Sequence, residues 1–184
     1  QPVRRLAPTS QSHEPMETIT FITPNFAVTG MPAPQDFERF VALGFKAVIS
    51  NRPDHEREGQ MTGRQEAVLA WRAGLKFRHI PATKLELFSD AVVEPMADAL
   101  NSLEGPIIAH CESGLRSAIL WAAASARSHS QSVDCVLAAL KKAGFDLDFL
   151  RDDLEAQADR KRWLGSSPAL DCREAERLPE RKAA

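Results

Sequence analysis

At 184 residues, with 43% hydrophobic and 26% charged residues, the chain has the make-up of one folded domain with a real core. A formal net charge of -2 excludes a general attraction to nucleic acid or to an anionic membrane surface. No apolar run approaches the roughly 18 residues needed to cross a bilayer. The 3 cysteines are widely spaced and match neither a disulfide framework nor a zinc site. A reducing cytoplasm, with no metal or other cofactor, is therefore the expected setting. The chain opens at Gln1 without a basic segment followed by an apolar one, so no secretory leader is expected. The missing initiator Met suggests trimming or a segment of a longer polypeptide.

In chain order, residues 1–17 carry Pro, Ser, Gln and charge with little apolar content and read as a flexible leader. Thr18 to Ile22 alternates like a strand, and Phe26 to Gly30 is its expected hairpin partner across Thr23-Pro24-Asn25. Phe37, Phe40, Val41 and Leu43 space one helical face that Gly44 ends. Phe45 to Ser50 reads as a strand running into the polar loop Asn51-Arg52-Pro53-Asp54-His55-Glu56. A helix over Gln65 to Ala73 and a strand over Leu75 to Ile80 follow, the second stopped by Pro81. The loop from Ala82 to Phe88 precedes a helix capped at Ser89 or Asp90, with Pro95 placed to kink its first turns. Pro106 to Ala109 reads as a short buried strand, and helices are expected from Gly114, Ser132 and Leu147. A folded domain is thus expected over 18–164, and the apolar-poor end, 165–184, reads as a charged tail. Strands alternating with helices imply a mostly parallel central sheet flanked by helices. Ligands of such sheets gather beyond the carboxyl ends of the strands.

The chemistry concentrates in His110-Cys111-Glu112-Ser113-Gly114-Leu115-Arg116-Ser117. A strand, a tight loop and a helix N-terminus make an anion cradle, because loop N–H groups and the helix dipole converge on one point. Cys111 opens that loop and is the candidate nucleophile, since such surroundings favour the thiolate. Arg116 closes it as a guanidinium fork for an oxyanion. Glu112, Ser113, Gly114 and Leu115 supply the intervening N–H groups, and Gly114 supplies the backbone freedom to turn them inward. Ser117 either donates to the departing thiolate or caps the helix. His110 points away from Cys111 along the strand and is expected to order the loop by hydrogen bonding. Glu112 is expected to turn outward, because facing inward it would repel an anion. Arg52 is a candidate second anion contact, His79 a satisfied structural histidine, and Cys172, in the tail, a bystander before it is a resolving thiol.

His-Cys-x-x-Gly-x-Arg-Ser after a buried strand resembles two cysteine-based families. In protein tyrosine and dual-specificity phosphatases the loop is one residue longer than the 4 between Cys111 and Arg116. In rhodanese sulfurtransferases it has this length, but the leading His110 is phosphatase-like. Over roughly 18–150 the chain resembles the phosphatase-like domain of beta-lactamase hydrolase-like proteins. The matching stretches are Ile22 to Gly30, Ser50 to Asp54, Cys111 to Trp121 and Ala143 to Leu147. The resemblance implies a protein tyrosine/dual-specificity-phosphatase-like fold, and hydrolysis of a phosphoester through a cysteinyl-phosphate. Such chemistry asks for a carboxylic acid at the leaving oxygen. Asp54, within a matching stretch, is the first candidate and Glu86 the alternative. The loop length keeps open a sulfurtransferase that forms a persulfide on Cys111 from a sulfur donor. A non-catalytic oxyanion-binding module is the third reading. Some relatives are fused to a metallo-beta-lactamase-fold or redox domain, which would make such a domain a partner.

Overall fold

The computed structural model describes residues 18–162; the expected leader and the charged tail, Cys172 with it, lie outside the described residues. The architecture is three-layered. Strands β1 (Thr20–Thr23), β2 (Phe26–Thr29), β3 (Ala47–Ser50), β4 (Lys76–His79) and β5 (Ile107–His110) form one sheet in the order β1-β2-β5-β3-β4. Only the β1–β2 hairpin is antiparallel; β5 lies parallel to β2 on one side and β3 on the other. Strand β4 closes the far edge, and Lys76 and Arg78 point outward there, which discourages edge-to-edge pairing.

Alternation along the inner strands divides the core. Phe26, Val28, Ala47, Ile49, Ile107 and Ala109 pack against α3 (Asp90–Ser102), α4 (Leu115–Arg127), α5 (Val133–Lys142) and α6 (Arg151–Arg162). Ala27, Val48 and Ile108 face α1 (Asp36–Ala42) and α2 (Gly63–Ala73). Residues buried on both faces of a sheet read as continuous apolar runs, as β3 and β5 do. Helix α4 is buried almost all round, and its alanines let α3 and α6 approach closely. Phe26 stacks on its Trp121 with ring centroids 5.9 Å apart.

The expected elements are present in their expected order, with ends moved by a residue or two. The last expected helix begins as a short 3-10 turn at Asp148–Leu150 before α6. Ser89 stands at the N-cap of α3, yet its hydroxyl donates to the Glu86 carbonyl at 2.9 Å instead of capping. Pro95 lies inside α3, which runs on past it. Among the described residues, no helix is long and apolar enough to cross a membrane.

Candidate active site

The carboxyl ends of β3, β4 and β5 share one rim, held by backbone bonds that continue past the strands. Asn51 N donates to His110 O at 2.9 Å, and Ala82 N to Asn51 O at 3.1 Å. The loops after β3 (51–62), β4 (80–89) and β5 (111–114) therefore meet where a parallel sheet gathers ligands.

Cys111 leaves the central strand with no exposed surface. It is the free cysteine among the described residues. Gly114 N–H donates to Cys111 Sγ at 3.1 Å, so the loop turns at least one amide onto the sulfur. That turn needs glycine: Gly114 sits at φ 90°, in the left-handed region, and is the N-cap of α4. The sulfur thus lies at the positive end of a 13-residue helix. Ser113 and Leu115 project to solvent from the same loop.

Arg116, in the first turn of α4, is 6% exposed. Its Nη1 donates to Ala82 O at 2.9 Å and its Nη2 to Glu56 Oε1 at 2.8 Å. Among the described residues, Nε–H and the second proton on each terminal nitrogen have no hydrogen-bond partner. The other oxygen of the same carboxylate, Glu56 Oε2, accepts from Arg52 Nε at 2.8 Å. Burial alone pushes the Glu56 carboxyl up, but the hydrogen bonds and charges of Arg116 and Arg52 outweigh it and hold the group below its usual range. Glu56 is therefore an ionised bridge between two guanidiniums. Arg52 is itself buried, and its Nη2 has no partner.

Sequence reasoning did not single out Glu56. Its signal was the i, i+4 spacing from Arg52 within a loop already placed on the rim. The expected acid two residues earlier, Asp54, accepts through Oδ1 from Gly63 N at 2.7 Å, at the start of α2. It also lies 3.9 Å from His79 Nε2, which donates to Arg52 O at 2.9 Å, so His79 is a structural histidine as expected. Gly63 permits this packing, since a Cβ there would lie 2.3 Å from the His79 ring. The alternative, Glu86, accepts from Thr83 N at 2.9 Å and Thr83 Oγ1 at 2.8 Å. Those bonds, the backbone one first, hold its carboxyl below the usual range.

Glu112 turns outward to an ion pair with Arg57 on the 51–62 loop. Ser117 donates to Asn51 Oδ1 at 2.8 Å, and Asn51 Nδ2 donates to Ile80 O at 3.0 Å. The Ser117 hydroxyl is thus committed to the β3 end, neither to Cys111 Sγ nor to a helix cap. His110 departs from expectation in its partner. The strand alternation carries it to the α2 side, where Nε2 lies 3.1 and 3.2 Å from the two oxygens of buried Glu66. It pins α2 beneath the central strand, and the loop amides are ordered by Cys111 and the helix start.

Residues 18–128 match the profile of a family described as "Beta-lactamase hydrolase-like protein, phosphatase-like domain". A beta-lactamase hydrolase-like protein of Xylella fastidiosa (strain 9a5c) is 31% identical over 140 residues, covering 76% of this chain and 32% of that protein. One from Agrobacterium fabrum (strain C58) is 33% identical over 100 residues, 54% of this chain and 23% of its own. The chain thus spans a third or less of the length of these relatives. Among solved structures, a Neisseria meningitidis Z2491 protein provisionally named a phosphatase aligns with a TM-score of 0.63 at 28% identity. That alignment covers 76% of this chain and 97% of the other. The active form of Tk-PTP aligns at 0.54 with 19% identity, covering 78% and 97%, a likeness of fold.

Proposed function

We propose, for a chain that belongs to the phosphatase-like domain family of beta-lactamase hydrolase-like proteins, the chemistry of a cysteine-based phosphatase. The observation that carries the reading is a buried thiol that accepts a loop amide, with a partly committed arginine in the helix that follows. Gly114 N–H is on Cys111 Sγ at 3.1 Å, and Arg116, in the first turn of α4, keeps Nε–H uncommitted.

In this reading the Cys111 thiolate attacks phosphorus, an S–P bond forms, and the P–O bond to the leaving group breaks. Loop amides and Arg116 take the charge that grows on the equatorial oxygens. A carboxylic acid protonates the leaving oxygen. Asp54, on the same 51–62 loop as Arg52 and Glu56, is the first candidate for that role and Glu86 the alternative. Water then attacks the cysteinyl-phosphate, releasing phosphate and restoring the thiolate. Ser117 supports the floor through Asn51, and His110 supports it through Glu66.

The expected partner is a phosphate-containing substrate, and the working thiol asks for a reducing compartment such as the cytoplasm. The length of the relatives is consistent with a further hydrolase or redox domain beside this one. Turnover of 4-nitrophenyl phosphate by the wild-type domain, abolished in Cys111→Ser, supports the proposal. No turnover with aryl phosphates overturns it.

The 4-residue interval between Cys111 and Arg116 favours one second reading, a sulfurtransferase. A smaller ring of amides suits a single terminal sulfur. Incubation with thiosulfate followed by intact mass measurement decides: a gain of one sulfur, absent in Cys111→Ser, favours persulfide transfer. Tight oxyanion binding with neither activity marks a module that reads phosphate without turning it over.

A further inference from the structure

The Cys111 loop contains a carboxylate, Glu112, immediately after the nucleophile, and its arginine lies in the first turn of a helix. Both are awkward for an anion site. A free carboxylate beside the cradle repels a dianion, and a helix N-terminus disfavours a cation. Both charges are taken up by two adjacent residues of the 51–62 loop. Glu56 Oε1 accepts from Arg116 Nη2, and Arg57 Nη2 pairs with Glu112 Oε1. A negative residue meets the loop's positive one, and a positive residue meets its negative one.

We propose that Glu56 and Arg57 are positioning residues that sort the charges of the Cys111 loop for a tetrahedral dianion. Glu56 holds the outer edge of Arg116 so that Nε–H remains toward the loop. Arg57 keeps the Glu112 carboxylate at the surface, out of the anion's path. The pair is itself braced. Arg57 N donates to Gln60 Oε1 at 2.9 Å, Gln60 Nε2 donates to Pro53 O at 2.8 Å, and Arg52 grips the second oxygen of Glu56. Glu56 is 27% exposed and Arg57 68%, so the first arm acts in a drier setting and carries the larger effect.

The inference rests on the oxyanion-cradle reading above, and the experiment separates the two. Inorganic tungstate binding is measured by calorimetry, and kcat and KM for 4-nitrophenyl phosphate are measured alongside, on wild type, Glu56→Gln, Arg57→Ala and Arg57→Ala/Glu112→Gln. Glu56→Gln is expected to weaken tungstate by about tenfold and to lower kcat as well, since Arg116 serves ground and transition states alike. Arg57→Ala is expected to weaken tungstate by about two- to threefold and to raise KM with kcat little changed. Adding Glu112→Gln recovers most of that loss, which repair of a merely structural defect would not do. Tungstate binding unchanged in Glu56→Gln and Arg57→Ala overturns the inference, as does failure of the double variant to recover. A wild-type domain that binds tungstate without turnover defeats the phosphatase reading while the binding arms still decide this one. A wild type that binds no tungstate defeats both.

Discussion

Helix α4 carries a buried arginine at each end, and the two are held in opposite ways. Arg127, its last residue, sits where the helix dipole favours a cation. All three of its nitrogens are committed: Nε and Nη2 to Gln157 Oε1 at 3.0 and 2.6 Å, Nη2 also to Asp90 Oδ1 at 2.5 Å, and Nη1 to Glu94 Oε1 at 3.4 Å. It ties α3, α4 and α6 together, with four of its five N–H donors in use. Arg116 sits at the opposite end, where the dipole opposes it, and is held by one carboxylate and one backbone carbonyl with Nε–H to spare. A buried cation placed against the helix dipole, and only partly committed, keeps donors free at the rim, which is what the proposed anion site asks of it. One placed with the dipole and bonded through nearly every donor is a fastener.

The sharpest way to break this comparison is to remove both arginines in turn. Arg116→Met is expected to lower aryl phosphate turnover by about 10²–10³-fold, as for loss of one oxyanion donor. Its melting temperature should move less than that of Arg127→Met. Arg127→Met is expected to lower the melting temperature by about 5 °C, with turnover per folded molecule retained. Calorimetry and steady-state assays on the two proteins settle it, and equal losses of activity would erase the distinction. A smaller effect tests the loop that feeds Arg116. Gly114→Ala forces a side chain into the left-handed region, costing about 1–2 kcal/mol in a denaturant titration. Turnover should fall too, because the amide on Cys111 Sγ is displaced.

The smallest effect is in pH. The Glu56 carboxyl is held below its ordinary value near 4.5 in the folded protein. A depressed folded value means stability that is present above the unfolded value and is lost as pH falls from there through the folded value. Melting temperature followed downward from about pH 5 should therefore drop less steeply in Glu56→Gln than in wild type. Parallel curves would show that the carboxylate adds nothing to folding beyond its place at the rim.

Much of this molecule was readable from local signals. The hairpin, the parallel sheet and the Cys111–Arg116 loop each announce themselves within a few residues through alternation, glycine stops and a polar break after an apolar strand. The alternation that sends His110 away from Cys111 was readable too, but its destination was not. Glu66 lies 44 positions away, on a helix whose distance from β5 only the packed sheet defines. Glu56 escaped for the same reason. Its partner Arg116 lies 60 positions away, and its spacing from Arg52 alone sets it apart from the neighbouring acids Asp54 and Glu58. Asp54 carries weight as a rim carboxylate, but its bond from Gly63 N, nine positions on, could not be read from the string. Carboxylates on a loop are sorted by tertiary partners, and sequence spacing carries little of that information.

The depth of Cys111 has a kinetic meaning. A sulfur with no exposed surface cannot meet a reagent until the rim around it parts. The chemical labelling of this thiol is thus a clock for that parting. With a slow alkylator, the rate follows reagent concentration and reports how often the rim stands open. With a fast one it saturates, and the plateau is the opening rate itself.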